Sequence, residues 1–178
     1  MSVFFEFDEV DTFTATAIGE PGSRVFYLFA RAGAQRLSVK CEKQQVRAIA
    51  QYLRRVLSDL PPPESRPMPS AVDVRDPGEQ AFVLGPIGLG YDRSNDRLLV
   101  QLEELVATEL DDDDDDDDDD VEVLDDSEDR GHIRLYVTRS QAAAFCDHAD
   151  ELVAAGRPNC MWCGNPIDPD GHPCPRMN

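Results

Sequence analysis

Apolar and polar positions along the chain follow two periods, strand-like and helix-like, and the same order of periods occurs twice. Val3 to Phe7 is a short apolar start that reads as an edge strand. Phe13 to Ile18 alternates apolar and small polar residues, as a half-buried strand does. Gly19-Glu20-Pro21-Gly22 is a turn, and Arg24 to Arg31 is the most apolar strand candidate. Gly33 breaks it, and Arg36 to Cys41 returns as a further strand. Glu42 then starts a helix in which Val46, Ile49, Ala50, Leu53, Val56, Leu57 and Leu60 recur at helical spacing. Arg47, Arg54 and Arg55 fall outside that stripe, and Pro61-Pro62-Pro63 stops the helix.

After a Pro-rich, polar stretch (61–78), read as an ordered or semi-rigid linker, the order returns. Phe82 to Ile87, followed by Gly88, matches Phe13 to Ile18, followed by Gly19. Arg97 to Leu102 matches Arg24 to Phe29, and His132 to Val137 matches Arg36 to Cys41. Thr138 can N-cap a second helix with Ala142, Phe145, Ala149, Leu152 and Val153 on one face. Laid over one another without gaps, the two helices match Gln45 with Gln141 and Ile49 with Phe145. The pattern predicts an α+β fold of two β-β-β-α units, about residues 12–60 and 81–155, with a possible internal duplication. The units join in one antiparallel sheet with both helices on one face, related by a pseudo-two-fold. The bland alternative is an ordinary α+β domain without duplication. The domain runs over 1–155, and 156–178 forms a separate tail.

Charge changes the picture in one place. The formal net charge of the 178 residues is −19, with 17 Lys and Arg against 36 Asp and Glu. Eighteen of those acids lie between Glu103 and Asp129, ten of them Asp111 to Asp120, and that segment has no Lys or Arg. The remainder is nearly neutral, so the acidity belongs to one segment. Ten consecutive aspartates repel one another and bury nothing, which predicts a disordered insertion at a hairpin tip over 107–131. Deleting Asp111 to Asp120 is expected to leave the melting temperature nearly unchanged. The run lacks the D-x-[DN]-x-[DN]-G spacing of an EF-hand loop. A weak divalent-cation sponge or a lure for a basic partner is the functional alternative to a solvated loop. The acidic balance argues against nucleic acid as a partner. No apolar run reaches membrane-spanning length and the start lacks a signal pattern, so the chain reads as cytoplasmic, with no membrane partner.

The chemistry is concentrated at the C-terminus. Cys160-Met161-Trp162-Cys163-Gly164 is a C-x-x-C knuckle, and His172-Pro173-Cys174 supplies a second pair. Cys160, Cys163, His172 and Cys174 match the ligand set of a closed, structural zinc site. Gly164 can take a positive φ and let the chain curl around the sulfurs. Pro166, Pro169 and Asp170-Gly171 are turn residues that return the second pair. A segment with so few apolar residues needs metal as its source of order. The alternatives are a redox-active C-x-x-C and unliganded thiols. Gly164-Asn165-Pro166 blocks the helix that a thioredoxin-like motif would open. Trp162 either packs the tail on the body or stands exposed for a partner.

Other motifs read as structure. Gly85-Pro86-Ile87-Gly88-Leu89-Gly90 lacks the ending of a Walker loop and is expected to be a turn and bulge. Cys41 and Cys146 read as core fillers, His148 as a residue on a solvated helix face, and His132 as the start of a strand. No catalytic constellation can be assembled, so the catalytic and cofactor-binding sets are empty.

The chain resembles an actinobacterial domain-of-unknown-function family over nearly its whole length. The resemblance is carried by Phe7-Asp8, Gly19-Glu20-Pro21-Gly22-Ser23-Arg24, Glu42-Lys43-Gln44-Gln45-Val46 and Gly88-Leu89-Gly90-Tyr91-Asp92. It continues through Gly156-Arg157-Pro158 and the Cys160-x-x-Cys163-Gly164…Gly171-His172-x-Cys174-Pro175-Arg176 tail. It implies a cytosolic actinobacterial protein encoded with a kinase-like and a histidine-phosphatase-like protein, near mycothiol biosynthesis. The aspartate run is not part of that pattern, and no activity comes with the resemblance. The favoured expectation is a zinc-containing, non-enzymatic adaptor or accessory subunit with a protein partner of one of those two kinds. The alternative is an enzyme acting on a phosphorylated or thiol metabolite, signalled by a pocket in which Arg24, Arg97 and a His converge.

Overall fold

Two sets of three strands and a helix, preceded by one short strand, make up the computed structural model, which describes residues 4–65, 67, 72–106, 130–168 and 170–176. The elements are β1 (Phe4–Phe7), β2 (Thr12–Ile18), β3 (Val25–Ala32), β4 (Gln35–Cys41), α1 (Lys43–Ser58), β5 (Gln80–Asp92), β6 (Arg97–Glu104), β7 (His132–Val137) and α2 (Arg139–Ala154). Each helix starts on a reciprocal cap. Gln45 returns its side-chain oxygen to the Glu42 N–H at 2.8 Å, and Gln141 does the same for Thr138 at 2.9 Å. Such boxes satisfy N–H groups that the first turn leaves without partners. The asp-rich run Asp111 to Asp120 lies outside the described residues.

The seven strands form one sheet in the order β1-β7-β6-β5-β4-β3-β2. The expectation of an antiparallel sheet is corrected: β4 pairs with β5, and β1 with β7, in parallel, so the sheet is mixed. The physical reason lies in the connection, since β4 reaches β5 through α1 and residues 59–79. A crossover of that length returns the chain to the same end of the sheet.

The strand order also forces curvature. β1 and β2 are opposite edges, yet only residues 8–11 join them. In a flat seven-stranded sheet the edges would stand about 29 Å apart. The step from Phe7 to Thr12 spans at most about 18 Å. The sheet therefore rolls up, and β2, β3 and β4 face β6 and β7 across a common core. Phe13, Leu28 and Val39 line one small void with Leu102, Ile133 and Leu135, and at about 10 Å³ it leaves space for one water at most.

The helices pack on each other and on this core. Val46, Ile49, Ala50 and Leu53 of α1 are buried. α2 buries Ala142, Ala143, Ala144, Phe145, Cys146 and Ala149, a wider face than its apolar stripe predicts, while Leu152 and Val153 are only half-buried. It is covered on two sides: Phe145 stacks on Phe13 of β2 at 4.7 Å, and the Cys146 thiol donates to the Ala50 carbonyl of α1. The cap glutamines extend the tie. Gln45 donates to the Leu84 and Gly85 carbonyls of β5, and Gln141 to the Val10 carbonyl just before β2. Each helix is thus bonded to the chain that opens the other three-strand set.

Residues 72–79 cover the opposite face of β2 and β4. Thr14 and Thr16 donate to the Val72 and Val74 carbonyls, and Ser38 to Glu79. These hydroxyls belong to buried residues, and each would cost about 1–3 kcal/mol without a partner.

Three further readings change. β5 runs on through the glycines to Asp92, so Ile87 to Asp92, rather than Phe82 to Ile87, pairs with β6 as β2 pairs with β3. The Gly85-Pro86 pair is a bulge inside the strand and no turn; the turn follows Asp92. The end of the expected 107–131 loop also moves. Gly131 is buried, bonds Glu104 in both directions, and a β-carbon there would lie 2.7 Å from Phe82.

Candidate metal centre

Beyond α2 the chain has almost no apolar side chain to bury, and its order comes from backbone bonds around the cysteines. Asn159 and Pro166 form an antiparallel bridge, flanked by Cys160 N–H to the Asn165 carbonyl at 2.7 Å and Ile167 N–H to Pro158 at 2.8 Å. Inside this narrow loop the knuckle closes with Gly164 N–H on the Cys160 carbonyl at 2.8 Å. Gly164 sits at φ +75°, where a side chain would be strained, and Gly171 at +92° turns the second pair back. Gly171 N–H reaches the Asp168 carbonyl at 2.8 Å to fix that turn.

The outcome is one cluster. The donor atoms of Cys160, Cys163, His172 and Cys174 all lie within 4.8 Å of one another, close enough to hold a metal ion. Cys160 Sγ is 3.9 Å from Cys174 Sγ, and Cys163 Sγ is 3.2 Å from His172 Nε2. A disulfide would need about 2.05 Å between sulfurs, so all are free thiols. Cys160 is buried and the other three are half-buried. The Cys163 and Trp162 backbone N–H groups hold the Cys160 thiol below its ordinary value, because they stabilise the thiolate. The Cys163 thiol is shifted the other way: the Asn165 backbone N–H lowers it, but burial and the Cys160 and Cys174 sulfurs together raise it.

How the tail meets the body has no signal in the sequence. The Arg157 guanidinium pairs with Asp168 at 2.5 Å, across the base of the loop. Its stem lies over Gly22 in the β2–β3 turn, where a β-carbon would come within 3.1 Å of Arg157 Cδ and Nε. Gly22, at φ +101°, leaves that space open. Trp162 does not pack on the body: it is 59 % exposed, and Met161 beside it 87 %.

The remaining candidates are structural. A β-carbon at Gly85 would meet the Leu105 backbone at 2.9 Å, and one at Gly88 the Gln101 side chain at 2.9 Å, so close strand packing accounts for these two glycines. Burial pushes the Cys41 thiol up to about 12 and that of Cys146 to about 11, which leaves both protonated and inert. His148 is corrected from a solvated position: it is half-buried, with Nε2 3.0 Å from the Ala15 carbonyl, because α2 lies along β2. His132 starts β7 as expected. Arg24 and Arg97 do not converge. Arg24 donates to Leu152 O at the end of α2, whereas Arg97 lines a separate cavity with Asp8, Glu9 and Asp92. No helix among the described residues is long and apolar enough to cross a membrane.

A family model described as Protein of unknown function (DUF3090) matches residues 5–174. No match was found among curated proteins or among solved structures.

Proposed function

The chain belongs to the DUF3090 family, and from that premise we propose that it is a non-enzymatic adaptor or accessory subunit whose tail is stapled by one structural zinc ion. The observation that carries the metal is the donor set. Three sulfurs and one nitrogen suit zinc, and with zinc–sulfur bonds of about 2.3 Å a tetrahedron has edges of about 3.8 Å. The 3.9 Å separation of Cys160 and Cys174 fits that edge without rearrangement. Four protein donors fill a tetrahedral shell, so the ion would order the loop instead of activating water.

The adaptor reading rests on what the knuckle presents. Zinc coordination would fix Met161 and Trp162 at its tip, both exposed, and side chains of these types are enriched at protein interfaces. The partner we propose is the kinase-like or histidine-phosphatase-like protein that the sequence resemblance implies. Tagged wild type and Trp162→Ala would be used to capture partners from native lysate. The reading requires a reproducible partner of one of these kinds, lost from the variant while its metal content stays the same. Equal capture by both proteins, or none by either, would remove the support for it.

A further inference from the structure

A groove of about 540 Å³ opens where the end of α2, the first turns of α1 and the start of the tail meet. Ala50, Ala149, Val153 and Ala154 give it an apolar floor, and Lys43, Arg47 and Arg157 stand around it. Arg24 reaches the same place from the entry to β3. A β-carbon at Gly156 would lie 3.2 Å from Lys43 Nζ and 3.4 Å from Arg24 Nη2, so the two cations flank one point.

Four cations therefore gather in a chain of net charge −19. Two have protein partners: Arg24 donates to the Leu152 carbonyl at 3.0 Å, and Arg157 pairs with Asp168. Lys43 and Arg47, one helical turn apart, have no carboxylate at ion-pair distance among the described residues. Asp150, the acid on the groove wall, is already paired with Arg54 at 2.6 Å. Burial, followed by the charges of Arg24, Arg47 and Arg157, holds the Lys43 ammonium below its ordinary pKa, a sign that its charge is under-compensated. Like charges crowded into a cleft raise the local positive potential and favour an anion there.

We propose that this groove binds a small phosphorylated molecule, its phosphate held by Lys43, Arg47, Arg24 and Arg157 and its uncharged part lying on Ala50, Ala149 and Val153. The volume falls in the range of small-molecule sites, about 300–1,000 Å³. Four cations, three of them guanidinium forks, suit the multiple charges and oxygens of a phosphate better than a single carboxylate. The overall acidity opposes adhesion to an anionic lipid surface, so a free metabolite is the favoured source. This goes beyond the adaptor reading and does not depend on which metal the tail holds.

Calorimetric titration with inorganic pyrophosphate at constant ionic strength tests it, with chloride as the matched control. The wild type is expected to bind saturably at one site per chain. Lys43→Ala combined with Arg47→Ala should weaken binding by roughly tenfold or more, since both are direct charged contacts. Arg97→Ala, in the other cavity, should leave it unchanged. Arg47→Gln alone, at an exposed helical position, serves if the double variant does not fold. Phosphatidylcholine vesicles doped with phosphatidic acid form a second arm, and no co-sedimentation is expected. No saturable binding of pyrophosphate, undiminished binding by the cation variants, or binding to vesicles alone would each overturn the proposal.

Discussion

Cys41 and Cys146 in the body and Cys160 in the tail are the same side chain in two opposite settings. The body thiols are buried, and their neighbours make ionisation costly, to about 12 for Cys41 and about 11 for Cys146. In the tail, backbone N–H groups turn toward the sulfur of Cys160 and favour its thiolate. The surroundings differ in the same sense. Around the body thiols lies one continuous apolar cluster drawn from all seven strands and both helices. Around the tail thiols are turns, two left-handed glycines and exposed side chains. The body is ordered by area removed from water, which acts over many residues at once. The tail is held by a few directional contacts, and four of its donors lie close enough together to hold a metal ion.

The contrast breaks most visibly in the core. Phe145 is fully buried and stacked on Phe13, at the joint between α2 and β2. Phe145→Ala should destabilise the body by about 3–5 kcal/mol, read from the denaturant midpoint. Metal bound per folded chain should not change. Loss of metal in parallel with loss of core stability would show that the two regions are one cooperative unit.

Alkaline pH sharpens the comparison by a smaller amount. The folded-state values of Cys41 and Cys146 lie above the ordinary value of 9.0 that the unfolded chain presents. Below about pH 9 both states keep the proton, and the contribution to stability is fully present. As pH rises from there toward 11–12 the unfolded chain loses protons that the folded chain retains, so stability falls. For Cys41 the loss is on the order of 2–3 kcal/mol by about pH 11. Melting temperature against pH should descend less steeply in Cys41→Ala than in the wild type, although the variant starts lower. An unchanged slope would mean that the thiol is not sealed in the core.

Local signals in the sequence reported local structure well. Thr138 and Gln141 mark a helix start because both partners of the cap lie within one turn. Gly164 marks a left-handed residue because the knuckle closes around it. Strand direction leaves no local mark, since alternation is the same in parallel and antiparallel strands. Only the length of the connection from Cys41 to Gln80 carries that information. The rolling of the sheet follows from β1 and β2 being opposite edges, a long-range fact with no local residue pattern. His148 reads as solvated beside Asp147 because nothing near it in the sequence announces that Ala15 lies across from it. The cations of the groove are likewise scattered over Arg24, Lys43, Arg47 and Arg157, and only the packing of α1 against α2 and the tail gathers them.

Zinc content per chain, measured after purification without chelators, decides whether one metal ion orders the tail. About one zinc per wild-type chain is expected, and none in Cys163→Ala. Sites of this kind contribute on the order of 10–16 kcal/mol of apparent binding free energy in small peptides, so retention through purification is required. In the variant, residues beyond Pro158 should become protease-sensitive while the body stays folded. A wild-type protein free of zinc, or a Cys163→Ala protein that keeps a full equivalent, would mean that the tail is ordered without a metal held by these four residues.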